Sequence, residues 1–197
     1  MSEQDLLIQA ISAMEAQRVV LGDAVVNPAI AALREKLSTL QSQTSAGQRK
    51  QVSVLFADLV GFTSMAEKMD AEQVGDLMDS LWKRLDASIL DRGGTINKHI
   101  GDAVVAVWGA AEAQENDPEQ AVHAALAMQN ELHALSEERG QPLRMRVGIH
   151  TGLVYVTPGE GPGRLNITGN PLQLAETIQH AAPPGGILVT HDTMVHI

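Results

Sequence analysis

Cysteine is absent from the chain. Its absence excludes disulfides, thiolate zinc sites and a cysteine nucleophile. Aromatic residues make up only 3% of the sequence, so the core has to be aliphatic, built of Leu, Ile, Val, Met and Ala. Positive charge is also short: 14 Lys and Arg stand against 24 Asp and Glu, for a formal net charge of −10. A nucleic-acid polymer is therefore not an expected partner, because phosphate backbones are held by clustered cations. A mononucleotide stays open, since bound metal ions can carry the positive charge locally. No apolar run is long enough to span a bilayer, and the N-terminus lacks the basic and apolar signature of a signal peptide. No membrane association is expected, and a cytoplasmic location is the default. The strand-like run before Ile197 is followed by no stop signal, so the expectation is a piece of a longer protein.

The 197 residues, 44% of them hydrophobic, allow one good-sized domain and a small appendage. Residues 1–46 read as a helical leader of two helices. Leu7, Ile11 and Met14 recur at helical spacing, and Gly22-Asp23 interrupts. Asn27-Pro28 restarts, with Asn as N-cap and Pro at the first helical position. Ile30, Leu33, Leu37 and Leu40 then form a short heptad-like seam, open to packing on its own domain or on a second copy. Residues 41–49 are polar and small, as in a linker.

Residues 47–197 read as one α+β domain. Val52–Ala57 is a nearly continuous apolar run, as in a strand buried on both faces. A helix is expected from Ser64, with Glu67 completing a capping box, and a second over Ala71–Leu90. Thr95–Ile100 and Ala103–Trp108 flank Gly101-Asp102 as a hairpin. Asp117-Pro118 opens a helix with Ala125, Met128, Leu132 and Leu135 as its buried stripe. Residues 143–156 are strand-rich with a break near Thr151-Gly152, and 158–164 form a flexible loop. Asn170-Pro171 opens another helix, Pro183–Gly186 is a turn, and Ile187–Thr190 is a last strand. The order implies a ferredoxin-like mixed, mostly antiparallel sheet with helices packed on one side.

Asp58 ends a strand, and Asp102 lies at the hairpin turn. If the strand after Asp102 runs antiparallel to Val52–Ala57, the two carboxylates meet at one sheet edge. Ionised carboxylates that close raise each other's pKa, a conflict that a divalent cation removes. Hard Mg²⁺ or Mn²⁺ takes one or two carboxylates, with water and phosphate oxygens filling the rest. Each Asp also has an ordinary role open to it, as a helix cap or a turn residue. Leu59–Thr63, LVGFT, adds a glycine turn leading to a helix N-terminus, where N–H groups and the helix dipole suit phosphate oxygens. Metal carboxylates beside an anion-binding turn suit phosphoryl or nucleotidyl transfer.

VLFADLVGFT (54–63) and KHIGDAVVAVWG (98–109), followed by VGIHTGLVYV (147–156) and TGNPLQLAETIQ (168–179), resemble the signature of class III adenylate and guanylate cyclase catalytic domains. The resemblance spans residues 50–197. It implies conversion of ATP to 3′,5′-cyclic AMP and pyrophosphate, in an active site shared between two cyclase domains of a homodimer or of a pairing with another cyclase domain. It implies that Asp58, Asp102 and the Leu59 carbonyl hold two divalent cations, Mg or Mn. It further implies that Gly61, Phe62 and Thr63 receive phosphate oxygens. Lys98 matches the purine-selecting lysine, and Asn166 matches its partner position, where adenylate cyclases usually carry Asp or Thr.

Two positions depart from the pattern. The family's transition-state Asn and Arg correspond to Gln173 and Thr177. Gln keeps the amide with a different reach, whereas Thr carries no charge for the developing phosphoryl oxyanions. Three explanations compete. Arg164, Arg144 or Arg146 substitutes; a different cyclase domain supplies the pair; or the domain binds nucleotide without turning it over. The glycine-rich segment 159–163 lacks the strand before it and the Lys after it of a phosphate loop. His150 is expected to be a strand-end residue with a satisfied hydrogen bond, His99 has no ligand partner at local spacing, and Trp108 and Met128 are expected in the core.

Overall fold

The computed structural model describes residues 3–18, 22–45, 47–159 and 164–197. The chain forms two compact units, Met1–Gly47 and Gln48–Ile197. Among the described residues no helix is long and apolar enough to cross a membrane.

The first unit is a pair of helices, α1 (Glu3–Ala16) and α2 (Asp23–Ser45), packed on each other. Leu7 and Ile30 are buried. Leu33 and Leu37 are half-buried, and the side chain of Leu40 lies outside the described residues. Arg18 ties the bend together by donating to Glu15, Asp23 and Asn27. Helix α2 begins before Asn27: Gly22 at φ 73 makes the turn, and the Val25 and Val26 N–H groups bond its carbonyl. Pro28 is therefore inside the helix rather than at its first position, at the cost of one backbone bond. The polar stretch expected as linker is mostly helix, because Gln, Ser and Thr between 41 and 45 break nothing until Gly47.

In the second unit, β1 (Gln48–Leu59) is central. A short α3 (Phe62–Ala66) and a long α4 (Ala71–Leu90) follow, then the hairpin β2 (Thr95–Ile100) and β3 (Ala103–Trp108). Helix α5 (Asp117–Arg139), β4 (Met145–Pro158), β5 (Leu165–Thr168), α6 (Asn170–Ala181), β6 (Ile187–Val189) and α7 (His191–Met194) complete the unit. The sheet order is β2-β3-β1-β4-β5, with β6 beside β4. All pairs are antiparallel except β4–β6. The fold is the expected ferredoxin-like α+β arrangement.

Both faces of β1 are covered, which explains its unbroken apolar run. Leu55, Ala57 and Leu59 face a core shared with Leu77, Leu81, Leu85 and Ile89 of α4 and Met128, Leu132 and Leu135 of α5. Val54 and Phe56 face the other way, with Val105, Val156, Ile167 and Ala175. Helix α6 is therefore on the face opposite α4 and α5, and the helices are not all on one side. Trp108 and Met128 are core, and the Trp108 indole N–H donates to the Arg92 carbonyl at 2.9 Å.

Several local expectations need correction. Helix α3 starts at Phe62, directly after Gly61, and not at Ser64 with a capping box. Strand β4 runs through Thr151-Gly152 without a break, since both residues stay in register with Ser53 and Val52. Gly152 is a packing residue: a Cβ there would lie 2.9 Å from Pro171 Cγ. Strand β5 and helix α7 are additions, and the last strand ends at Val189. Of the expected flexible loop, residues 160–163 lie outside the described residues.

Gly148 serves the same packing purpose. A Cβ there would fall 2.3 Å from both the Ala175 carbonyl oxygen and the Gln179 nitrogen. Helix α6 thus lies on β4 backbone to backbone, with Pro171 over Gly152 and Gln179 over Gly148. Gly148→Ala is expected to cost about 1–3 kcal/mol through overpacking. Urea unfolding would read this as a lower midpoint with an unchanged slope. An unchanged midpoint would mean that α6 can lift off β4 freely.

Candidate active site

Asp58 is the last residue but one of β1. It stands opposite Ala103 on β3 and Arg146 on β4. Asp102 immediately precedes Ala103, in a turn closed by Gly101 at φ 62. The register therefore brings the two aspartates together at one end of the central strands. Their proximity has an electrostatic signature. Burial pushes the Asp58 carboxyl above its ordinary pKa, and the Asp102 charge pushes it further, while His180 and Arg146 act in the opposite direction. Asp58 and Asp102 are both half-buried.

A carboxyl whose pKa is raised by folding favours the fold at low pH. That contribution is lost as pH rises through the folded-state pKa, so near neutrality the ionised Asp58 is a burden on the metal-free protein. Asp58→Asn should therefore raise the Tm in metal-free buffer at neutral pH. Below the carboxylate range the two proteins should melt alike. A lower Tm for the variant at neutral pH would contradict the unbalanced charge.

The residues around the acidic pair come from four elements, β1, α3, β4 and α6. Leu59 is buried at the end of β1, and the Val60 N–H bonds the Arg144 carbonyl at 2.8 Å. Gly61, at φ 74, turns the chain in a conformation that glycine adopts without strain. Phe62 and Thr63 follow as the first residues of α3, where N–H groups have no acceptor within the helix. Arg146 extends from the neighbouring strand, and its buried Nε has no hydrogen-bond partner. The sequence offers Arg146 only as one cation among three; its place across from Asp58 becomes visible once β1 and β4 are paired. The proximity of His180 to Asp58 has no sequence signal, because it depends on how α6 crosses the sheet.

Lys98 and Asn166 line a separate cavity of about 920 Å³, together with Arg164, Thr95 and Thr157. Neither Asp58 nor Asp102 is in its lining. The Asn166 amide donates to the Pro158 carbonyl at 3.4 Å, which leaves its side-chain oxygen as an acceptor. Gln173 and Thr177 are exposed, one turn apart on α6, and the Thr177 hydroxyl donates to the Gln173 carbonyl at 2.8 Å. His150 is buried in the middle of β4, not at a strand end, and its Nδ1 lies 3.0 Å from Thr190 Oγ1. Burial holds its pKa below the usual imidazole value, as suits a structural residue.

Residues 44–197 match the model of the adenylate and guanylate cyclase catalytic domain. The chain belongs to this cyclase family. The cyclase domain is 31% identical over 154 residues to adenylate cyclase 1 of Rhizobium meliloti, covering 76% of this chain and 23% of that protein. It is 29% identical over 143 residues to the guanylate cyclase soluble subunit alpha-1 of Bos taurus, covering 72% of this chain and 21% of that one. The chain thus spans less than a quarter of the length of either relative. Among solved structures, the adenylyl cyclase CyaB from P. aeruginosa superposes with a TM-score of 0.71 at 32% identity, over 77% of this chain and 82% of that one. The guanylyl cyclase Cya2 gives 0.71 at 29% identity, over 76% and 79%. Relatives of both nucleotide preferences match the cyclase domain about equally well, so family membership does not choose the base.

Proposed function

We propose that the cyclase domain is an adenylate cyclase that converts ATP to 3′,5′-cyclic AMP and pyrophosphate at the interface of two cyclase domains, with turnover weakened by Gln173 and Thr177. The observation that carries this reading is the convergence of Asp58 and Asp102 at one end of the central strands, set by the β1–β3 register. The chain offers two carboxylates there, Asp58 and Asp102. That donor set fits Mg²⁺ or Mn²⁺, which take one or two carboxylates and complete their shells with water and substrate phosphates. Asp58, Asp102 and the Leu59 carbonyl would hold two such ions, whose chemistry when bound is to polarise the ribose 3′-hydroxyl and neutralise the triphosphate.

The other parts follow from the chain's own groups. N–H groups at Phe62 and Thr63 receive phosphate oxygens, and the positive charge of Arg146, beside Asp58, favours an anion on the same side. Lys98 donates to a ring acceptor on the adenine edge, and the Asn166 side-chain oxygen accepts from the exocyclic amine. In the reaction the 3′-oxygen attacks the α-phosphorus in line. The bond to the bridging oxygen of the β-phosphate breaks, pyrophosphate leaves, and the hydroxyl proton passes to solvent. The separation of the Lys98–Asn166 cavity from the acidic pair supports a shared site, with one domain reading the base and its partner presenting the carboxylates.

Incubation with Mn²⁺ and each of ATP, GTP, CTP and UTP tests the reading. Cyclic AMP is the expected product. Cyclic GMP alone would move the base preference and leave the mechanism standing. A second reading is favoured by the Thr177 hydroxyl, which is turned back onto its own helix: a nucleotide-binding regulatory or dimerisation module, or one half of a heterodimeric cyclase. It predicts metal-dependent ATP binding by calorimetry with no cyclic product from the domain alone.

A further inference from the structure

Strand β2 lies at the edge of the sheet and, among the described residues, pairs with β3 alone. Its ladder slips by one residue between Ile96 and Lys98, which leaves Asn97 as a bulge. In a regular strand successive side chains alternate between faces, so Lys98 would share the face of Ile96. Ile96 packs on the core beneath α4 and α5. The extra residue resets the alternation. Lys98 then pairs with Val105, which belongs to the core on the opposite face, and Lys98 lines the cavity on that side with Asn166. His99 pairs with Val104 and faces the helices.

On that face His99 is held twice by α4. Its Nε2 lies 3.0 Å from Asp86 Oδ1. Its ring centroid lies 4.4 Å from that of Trp82, with the planes tilted by 49°. Trp82 in turn packs against the core. Among the described residues no strand pairs with the outer side of β2, so its rotation beyond the bulge depends on side-chain anchors: Ile96 before the bulge and His99 after it. Rotation of β2 at residue 99 would turn Lys98, the next residue back, away from the cavity.

We propose that His99, clamped by Asp86 and Trp82, is the positioning residue that aims Lys98 at the purine base. The inference rests on the reading of Lys98 as the base-contacting lysine. His99 touches no nucleotide. It acts by holding the bulged strand in the one rotation that presents Lys98 to the cavity.

Calorimetric binding of Mn-ATP and Mn-GTP to the full chain tests this without requiring turnover, with hydrogen exchange over residues 95–100 as a readout independent of nucleotide. In His99→Ala, exchange over β2 should quicken, and the preference for ATP over GTP should fall about tenfold, the size of one charged hydrogen bond lost by Lys98. Lys98→Ala should give the same fall, and the double variant no more than either single change. Asp86→Asn keeps an acceptor for His99 and should stay near wild type. His99→Phe keeps a ring on Trp82 but loses the Asp86 bond, and should lie between; it carries the test if His99→Ala does not fold. Unchanged exchange in His99→Ala would sink the clamp by itself. A normal ATP preference in that variant alongside a reduced one in Lys98→Ala, or additive losses in the double, would sink the coupling. An unchanged preference in Lys98→Ala, or a wild-type chain that binds neither nucleotide, would remove the role of Lys98 and overturn the inference together with the reading beneath it.

Discussion

The variant carrying Gln173→Asn and Thr177→Arg should make cyclic AMP from Mn-ATP roughly 10³-fold faster than the natural chain, at the low end of the range for arginines that meet a transferring phosphoryl group. Both positions are exposed on α6, so a longer side chain at 177 has room. Among the described residues, the side-chain bond given up is the Thr177 hydroxyl to the Gln173 carbonyl, a local contact within one turn. The gain should fall on kcat and leave KM nearly unchanged, because negative charge on the phosphoryl oxygens builds only in the transition state. Measured turnover of the double variant decides the matter. If it binds ATP as before and makes no more product, the deficit lies outside α6, and the domain is a binding module or needs an unlike partner.

The second large effect is a loss. Asp102→Ala should lower cyclic AMP output by roughly 10³-fold, since metal-borne stabilisation of phosphoryl charge is worth several kcal/mol and each decade about 1.4. The turn should survive, because Gly101 rather than Asp102 carries its left-handed backbone. Removing the charge should also let the Asp58 carboxyl relax downward, since Asp102 is one of the two causes that raise it. Calorimetric titration with Mn²⁺ should show weakened binding in the same variant. Undiminished Mn²⁺ affinity would dissociate the pair from any cation and leave the fold without its proposed chemistry.

Much of the fold was legible because its signals are local. Leu77, Leu81, Leu85 and Ile89 recur at helical spacing between Asp70 and Gly93, and α4 has the expected limits. The apolar run of β3 beside Gly101 marked the hairpin residue for residue. The convergence of Asp58 and Asp102 could be derived because it needs only one antiparallel pairing. Other features depend on distant parts of the chain. Strand β5 has four residues and one buried side chain, Ile167, too little for a pattern. Gly152 looks like punctuation in the sequence, yet it is a place where a helix touches a strand. Pro28 looks like a start and is carried within α2. The positions of Arg146 beside Asp58, and of Lys98 with Asn166, depend on sheet register and on the Asn97 bulge. No window of sequence contains either.

The seating of α6 on the two bare glycines of β4 separates two kinds of inheritance. The underside of the helix is committed to the sheet and tolerates almost no change, while its outer side, with positions 173 and 177, carries no share of the architecture. A lineage can therefore lose the chemistry written on that outer side and keep an intact scaffold, ready for a different use or for the same use restored by two codons.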